Sequence, residues 1–351
     1  MRIAQVSPLY ESVPPAGYGG TERVVSYLTE ELVGLGHKVT LFASGDSSTK
    51  AKLVPICPSS LRSDRRCLDP IAYHMLMIER VAQSAAEFDI IHFHTDYLHF
   101  SLSRRLGKPF VTTLHGRLDL PELVPLYKEF DDIPLVSISD AQRAPIFWAN
   151  WQATVYHGLP RNLYQLSKSP GEYLVFIGRV SPEKRVIDAI EIAKQSDIPL
   201  KIAAKVDKTE EAYFSAVIKP LLKHPLIEFI GEVGEKDKQE LLGNAYAFIF
   251  PVDWPEPFGL AMIEAMACGT PVIARRRGSI PEIVEDGVTG FIFDDIPTAV
   301  EAVKAAGTLS RLKIRKEFKR RFSAQRMALD YSTVYENLLK KVQTSGSRRI
   351  A

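Results

Sequence analysis

The chain has 351 residues, of which 46% are hydrophobic and 25% charged, and its formal charge is +2. That length and balance suit two globular domains, each with a full core, and the near-neutral charge excludes a protein organised around nucleic acid. Three unpatterned cysteines, Cys57, Cys67 and Cys268, form no zinc motif and suit a reducing compartment. The N-terminus lacks the long apolar region of a secretory leader, and no run reaches the ~18 apolar residues of a membrane span. The expectation is a cytoplasmic protein, at most peripheral to a membrane.

Short apolar runs alternate with amphipathic stretches along the chain, the pattern of an α/β protein with parallel sheets. Ile3–Ser7 reads as a strand, and Thr21–Leu35 as a helix with Val24, Val25, Leu28 and Leu32 on one face. Strands follow at Lys38–Ala43, Asp89–His94, Pro109–Leu114, Leu135–Ser139 and Thr154–Tyr156. Gly158 to Gly171 breaks the rhythm with turn residues at both ends and reads as a linker. The alternation then resumes. Tyr173–Ile177, Leu200–Ala204, Ile227–Ile230, Ala247–Pro251 and Pro271–Ala274 read as strands, and Val186–Lys194 and Leu260–Ala267 as helices. A last helix starts at Arg326, with Met327, Leu329, Tyr331, Val334, Tyr335 and Leu338 as its apolar set. The expected fold is two Rossmann-like doubly wound domains facing a cleft. They divide as 1–160, 161–325 and a C-terminal helix, 326–351. Ligands of such sheets bind outside the carboxyl ends of the strands, which directs attention to the loops there.

Three loops stand out. After the first strand comes Tyr18-Gly19-Gly20-Thr21, where two glycines allow close backbone approach and Thr21 is the candidate N-cap. A helix start there suits a phosphate; a plain tight turn is the alternative, and no Walker lysine follows. The first strand of the second half leads into Gly178-Arg179-Val180-Ser181-Pro182-Glu183-Lys184. Arg179 and Lys184 make a candidate diphosphate clamp, or else an exposed basic turn partnered by Glu183. The third loop, Phe250 to Leu260, is stiffened by Pro255 and Pro257. It carries Glu256 ahead of a helix and Glu264 within it. Eight helical residues rise ~12 Å, so the carboxylates can serve separate hydroxyl groups of one extended ligand. The alternative is a dipole-favoured Glu256 and a partly buried, paired Glu264.

Other features weigh less. His92 and His94 share a strand face and read as hydrogen-bonded cleft residues rather than metal ligands. No Asp-x-Asp pair sits in a suitable loop, and Asp131-Asp132 reads as solvated. Among Arg275, Arg276 and Arg277, one is a candidate for an anion and two read as solvated. The basic stretch Arg311 to Arg321, with Lys313, Arg315, Lys316, Lys319 and Arg320, reads as a solvated helix face, with weak attraction to an anionic membrane as the minor alternative.

The run Glu256-Pro257-Phe258-Gly259-Leu260-Ala261-Met262-Ile263-Glu264 resembles the signature of glycosyltransferase family 4. So do Ala265-Met266-Ala267-Cys268-Gly269-Thr270-Pro271-Val272 and Gly278-Ser279-Ile280-Pro281-Glu282-Ile283-Val284, followed by Gly287-Val288-Thr289-Gly290. The likeness is strongest from 173 to 294. It implies a retaining, metal-independent hexosyltransferase of the GT-B fold, with no cofactor and a nucleoside-diphosphate sugar as donor. By the resemblance, Glu264 takes the ribose hydroxyls and Glu256 those of the transferred sugar. Phe258, Gly259 and Leu260 offer backbone N–H groups, Arg179 and Lys184 hold the diphosphate, and Gly19 or Gly20 approaches it. His115 lies by the sugar, and Gly231-Glu232-Val233 line the base. The resemblance also implies that the C-terminal helix, 326–351, packs back on the first domain. Gly234, where guanine-selecting members can carry an acid, favours uridine. The acceptor, a sugar, a lipid-linked or a small molecule, is not legible. A nucleotide-sugar epimerase and a non-catalytic nucleotide-sugar-binding protein are the alternative readings.

Overall fold

The computed structural model describes residues 1–17 and 19–347. Tyr18 and the last four residues of the expected C-terminal helix lie outside them. The chain forms two compact units, one of Met1–Pro160 with the segment from Ala324, the other of Arg161–Ser323.

The first unit is built on strands β1 (Arg2–Val6), β2 (Lys38–Ala43), β3 (Lys52–Pro55), β4 (Ile90–Phe93), β5 (Phe110–Thr113), β6 (Leu135–Ser137) and β7 (Trp151–Thr154). They form one parallel sheet in the order β3-β2-β1-β4-β5-β6-β7. The second unit carries β8 (Leu174–Arg179), β9 (Leu200–Lys205), β10 (Ile227–Phe229), β11 (Ala247–Phe250), β12 (Val272–Arg275) and β13 (Gly290–Phe293), ordered β10-β9-β8-β11-β12-β13 and again parallel. In each sheet the order reverses once, at β1/β4 and at β8/β11. Such a reversal opens a crevice at the carboxyl ends of the flanking strands, where ligands of doubly wound sheets bind. Strands buried on both faces explain why the central runs are apolar throughout, as in Phe248, Ile249, Val272 and Ile273, all at zero exposure.

The helices of nine or more residues are α1 (Gly20–Gly34), α2 (Pro70–Gln83), α3 (Val186–Ser196), α4 (Glu235–Gly243), α5 (Leu260–Cys268), α6 (Ile296–Ala306), α7 (Arg311–Arg321) and α8 (Ala324–Ser347). Three expectations need correction. Thr21 is not the cap of α1: the helix opens at Gly20 with Gly19 as N-cap, so Thr21 already lies in the first turn. Leu329 does not join the apolar face of α8 and is 50% exposed, whereas Met327, Tyr331, Val334, Tyr335 and Leu338 are buried. Those five recur at helical spacing, and Leu329, two residues from Met327, falls on the other side. The strand expected at Thr154–Tyr156 lies earlier, at Trp151–Thr154.

Candidate active site

In the second unit, Arg179 is the last residue of β8, and Lys184 closes a short turn, Pro182–Lys184, before α3. The loop after β11 carries Trp254 and Glu256, and α5 begins at Leu260. Lys184 Nζ donates to Glu256 Oε2 at 2.6 Å, and Trp254 Nε1 donates to the same oxygen at 2.8 Å. The ammonium also stands 5.0 Å from the centroid of the Trp254 ring, within cation–π reach. The Lys184 and Glu256 side chains are only 15% and 11% exposed. Two of the residues singled out in the sequence therefore meet directly. Arg179 keeps different company, 3.6 Å from Asp207 and 3.8 Å from Glu183.

Helix α5 starts from Gly259, in the left-handed region at φ +83°, with no side-chain cap and no acidic residue in its first turn. With no carboxylate in that first turn, its positive end suits a phosphate. Gly278, at φ +51°, lies against the Glu256 backbone; a Cβ there would stand 2.4 Å from the Glu256 carbonyl oxygen. The Ser279 N–H donates to that carbonyl at 3.0 Å. One turn into α5, Glu264 Oε1 accepts from Lys238 Nζ of α4 at 3.0 Å. Lys238 was missed in the sequence because it lies 26 residues from Glu264, and Trp254, two residues before Glu256, because an indole beside a carboxylate is no recognisable motif. Cys268, at the end of the same helix, is no nucleophile: burial pushes its thiol up to about 12. Gly231, Glu232 and Val233 follow β10, with Gly231 at φ +87° and Glu232 exposed.

The basic stretches agree with expectation in part: Arg276 and Arg277 are exposed, in line with the expectation for two of the three arginines. Arg275 is buried, donating to Asp188 and lying 3.6 Å from Asp253, while Arg277 donates to Asp253 at 2.9 Å and Arg276 to Asp294 at 3.2 Å. Asp253 in turn donates its backbone N–H to the Glu183 carbonyl at 2.8 Å, so these ion pairs tie together the loops after β8, β11 and β12. Helix α7 is not a uniformly solvated face. Arg311 is buried and donates to the Ser167, Ala245 and Gly243 carbonyls, at 2.8, 2.9 and 2.8 Å. Arg315, also buried, reaches the carbonyls of Ala267 and Arg161. Their planar forks suit orphan carbonyls at helix and strand ends.

In the first unit, His92, His94 and His115 lie at the carboxyl ends of β4 and β5. His92 is bonded to the Tyr335 and Thr113 hydroxyls, both at 2.8 Å, and His94 to Gln5 and to His115, again both at 2.8 Å. Burial pushes the His115 imidazole down to about 3 and those of His92 and His94 well below the usual range, so all three are neutral near pH 7. The hydrogen-bonded reading of the His92/His94 pair fits this network, and no cluster among the described residues is disposed to hold a metal ion. Asp132 is exposed, as expected, and also receives hydrogen bonds from Arg104. Gly19 and Gly20 stand at the start of α1.

Two parallel sheets of Rossmann order, each with loops of this kind at its switch point, define the GT-B class of glycosyltransferases. The model of Glycosyl transferases group 1 matches residues 165–323 and that of Glycosyltransferase Family 4 residues 18–165, and the chain belongs to this family. It is 24% identical to the N-acetyl-alpha-D-glucosaminyl L-malate synthase of Bacillus anthracis, across 94% of this chain and 96% of that protein. Its fold is similar to that of the sucrose-phosphate synthase of Thermosynechococcus elongatus, with a TM-score of 0.79, 18% identity and 97% and 100% of the two chains covered. It is also similar to Anabaena Alr3699/HepE in complex with UDP and glucose, with a TM-score of 0.72, 19% identity and 96% and 100% covered.

Proposed function

We propose that this glycosyltransferase moves a hexose from a UDP-sugar to a hydroxyl acceptor, with retention of configuration and without a metal. The observation that carries this is the buried Lys184–Glu256–Trp254 cluster ahead of the uncapped start of α5, with Glu264 a turn further on. Lys184 and Arg179 hold the diphosphate as fixed cations. The backbone N–H groups of Phe258, Gly259 and Leu260 add partial positive charge where the leaving group gains negative charge. Glu256 accepts from hydroxyls of the transferred sugar and Glu264 from those of the ribose, while Glu232 and Val233 flank the base. In the first unit, His115 and the Gly19–Gly20 turn are the proposed substrate contacts. The solved relative holding UDP and glucose supports uridine as the base.

In the reaction, the acceptor oxygen attacks the anomeric carbon on the face that the diphosphate leaves. The new C–O bond forms as the old one breaks, and the acceptor proton passes to the departing phosphate oxygen. A thermal-shift screen of nucleoside diphosphates and their sugars tests the donor, because binding stabilises by mass action. UDP-sugars should give the largest shift, and a larger shift with GDP-sugars would overturn the assignment. Lys184→Ala and Glu256→Gln should each lower transfer more than 100-fold, the range of a lost transition-state charge contact; unchanged turnover in both would sink this reading. Donor isomerised without any acceptor would point instead to an epimerase.

A further inference from the structure

We propose that Gln5 and His94 are positioning residues that set the protonation pattern of His115, leaving its Nδ1 as a bare acceptor for a substrate hydroxyl. This rests on the role proposed above for His115. Gln5 lies on β1, beside the switch point, and is fully buried. Its Nε2 donates to the Tyr335 hydroxyl at 3.0 Å, so Oε1 is the atom that faces His94 Nε2 at 2.8 Å. His94 must then carry its proton on Nε2, because a carboxamide oxygen only accepts. A neutral imidazole protonated on Nε2 has a bare Nδ1, and His94 Nδ1 lies 2.8 Å from His115 Nε2. His115 Nε2 therefore holds the proton and donates, and Nδ1 of His115 is left as a lone pair. That Nδ1 is buried and has no hydrogen-bond partner among the described residues.

The other branch of the network agrees. The Tyr335 hydroxyl, having accepted from Gln5, donates to His92 Nδ1 at 2.8 Å, which leaves His92 Nε2–H to donate to Thr113 Oγ1 at 2.8 Å. Reversing the Gln5 amide would reverse the His94 and His115 protons as well. It would end on a buried N–H at His115 Nδ1 with no acceptor, an arrangement rarer in proteins than an unused lone pair. Burial keeps the histidines neutral, so no imidazolium competes with this pattern. The network thus presents His115 to a ligand as an acceptor and rejects a ligand that offers another acceptor there.

Nitrogen NMR of the imidazole rings reads this directly. In the native protein, His115 should show a protonated Nε2 and a bare Nδ1; a protonated Nδ1 would overturn the proposal. In Gln5→Leu and His94→Leu the constraint is gone, and a measurable fraction of His115 should move its proton to Nδ1. An unmoved His115 in both variants would equally overturn it. With the best donor from the nucleotide-sugar screen, His94→Leu should lower kcat/KM about tenfold, the worth of one hydrogen bond. Adding it to His115→Ala should lower it no further, since His94 acts through His115. Multiplying losses in the double variant would mean that His94 serves the fold alone. A native protein that turns over no donor would remove the proposed transfer, while the ring spectra still decide the protonation pattern.

Discussion

Glu256 takes two donors on one oxygen, and that arrangement makes its neighbours unequal. Lys184 supplies charge and Trp254 an oriented N–H, from residues that precede and follow the same strand, β11. Trp254→Phe keeps an aromatic face under Lys184 but deletes the N–H, so it should cost about 1 kcal/mol of stability. Lys184→Met leaves a mostly buried carboxylate without its cation and should cost more, about 3 kcal/mol. Urea denaturation ranks the two, and equal losses would show that the indole and the ammonium are equivalent partners. Sequence reading brought out Lys184 and Glu256 because each stands in a loop between the carboxyl end of a strand and the start of a helix. Their meeting, across 72 residues, and that of Lys238 with Glu264 across 26, depends on tertiary distance, which no local spacing carries. The same holds for Arg275 and Arg311: basic side chains next to other charges look solvated until the orphan carboxylates and carbonyls they satisfy are in place.

The helix α5 and the turn at Gly278 are fitted to each other through the Glu256 backbone. A Cβ at Gly278 would press on Glu256 O and N at 2.4 and 2.5 Å, whereas a Cβ at Gly287, also left-handed at φ +72°, would meet nothing within 4 Å. Both alanine variants strain the backbone, by roughly 1–2 kcal/mol. Only Gly278→Ala displaces Glu256, so it alone should lower kcat/KM more than tenfold, since small misplacements of a positioning group are costly. Equal kinetics for the two variants would show that the Glu256 backbone tolerates the shift. The central strands were legible as apolar runs because both their faces are buried. Strand β3, Lys-Leu-Val-Pro, went unread because it is a short edge strand, half-buried at most. Strand β13 went unread because it opens on Gly290, inside a stretch that looks like a turn. Edge strands give sequence the weakest signal, as the displaced β7 also shows.

Among the enclosed histidines of the first unit, four, His92, His94, His99 and His157, stand at 0%, 2%, 0% and 4% exposure, and burial pushes each well below the usual pKa. A group whose native pKa is depressed binds protons first in the unfolded chain. Its contribution is complete above the unfolded value near 6.5 and is lost as pH falls below it. Each group approaches a slope of about 1.4 kcal/mol per pH unit only below that value, so the four should remove roughly 5 kcal/mol between pH 7.5 and 5.5. That is comparable to the whole stability of many domains. Denaturant titrations at pH 7.5 and 5.5, followed by the tryptophans of this unit, should show the loss, and a flat response would overturn it. No helix among the described residues is long and apolar enough to cross a membrane.

The returning helix α8 gives the first unit Tyr331 and Tyr335, both buried, and Arg326, which donates to the Tyr156 and His157 carbonyls at 2.7 and 3.0 Å. This has a consequence for the order in which the protein is made. On the ribosome, residues 1–160 emerge first but lack this helix, so their polar network stays open while residues 161–323 are being synthesised. The second unit, continuous in the chain, has all its parts before Ala324 leaves the exit tunnel. Domains otherwise tend to fold in the order they are synthesised; here the first-made half is completed last.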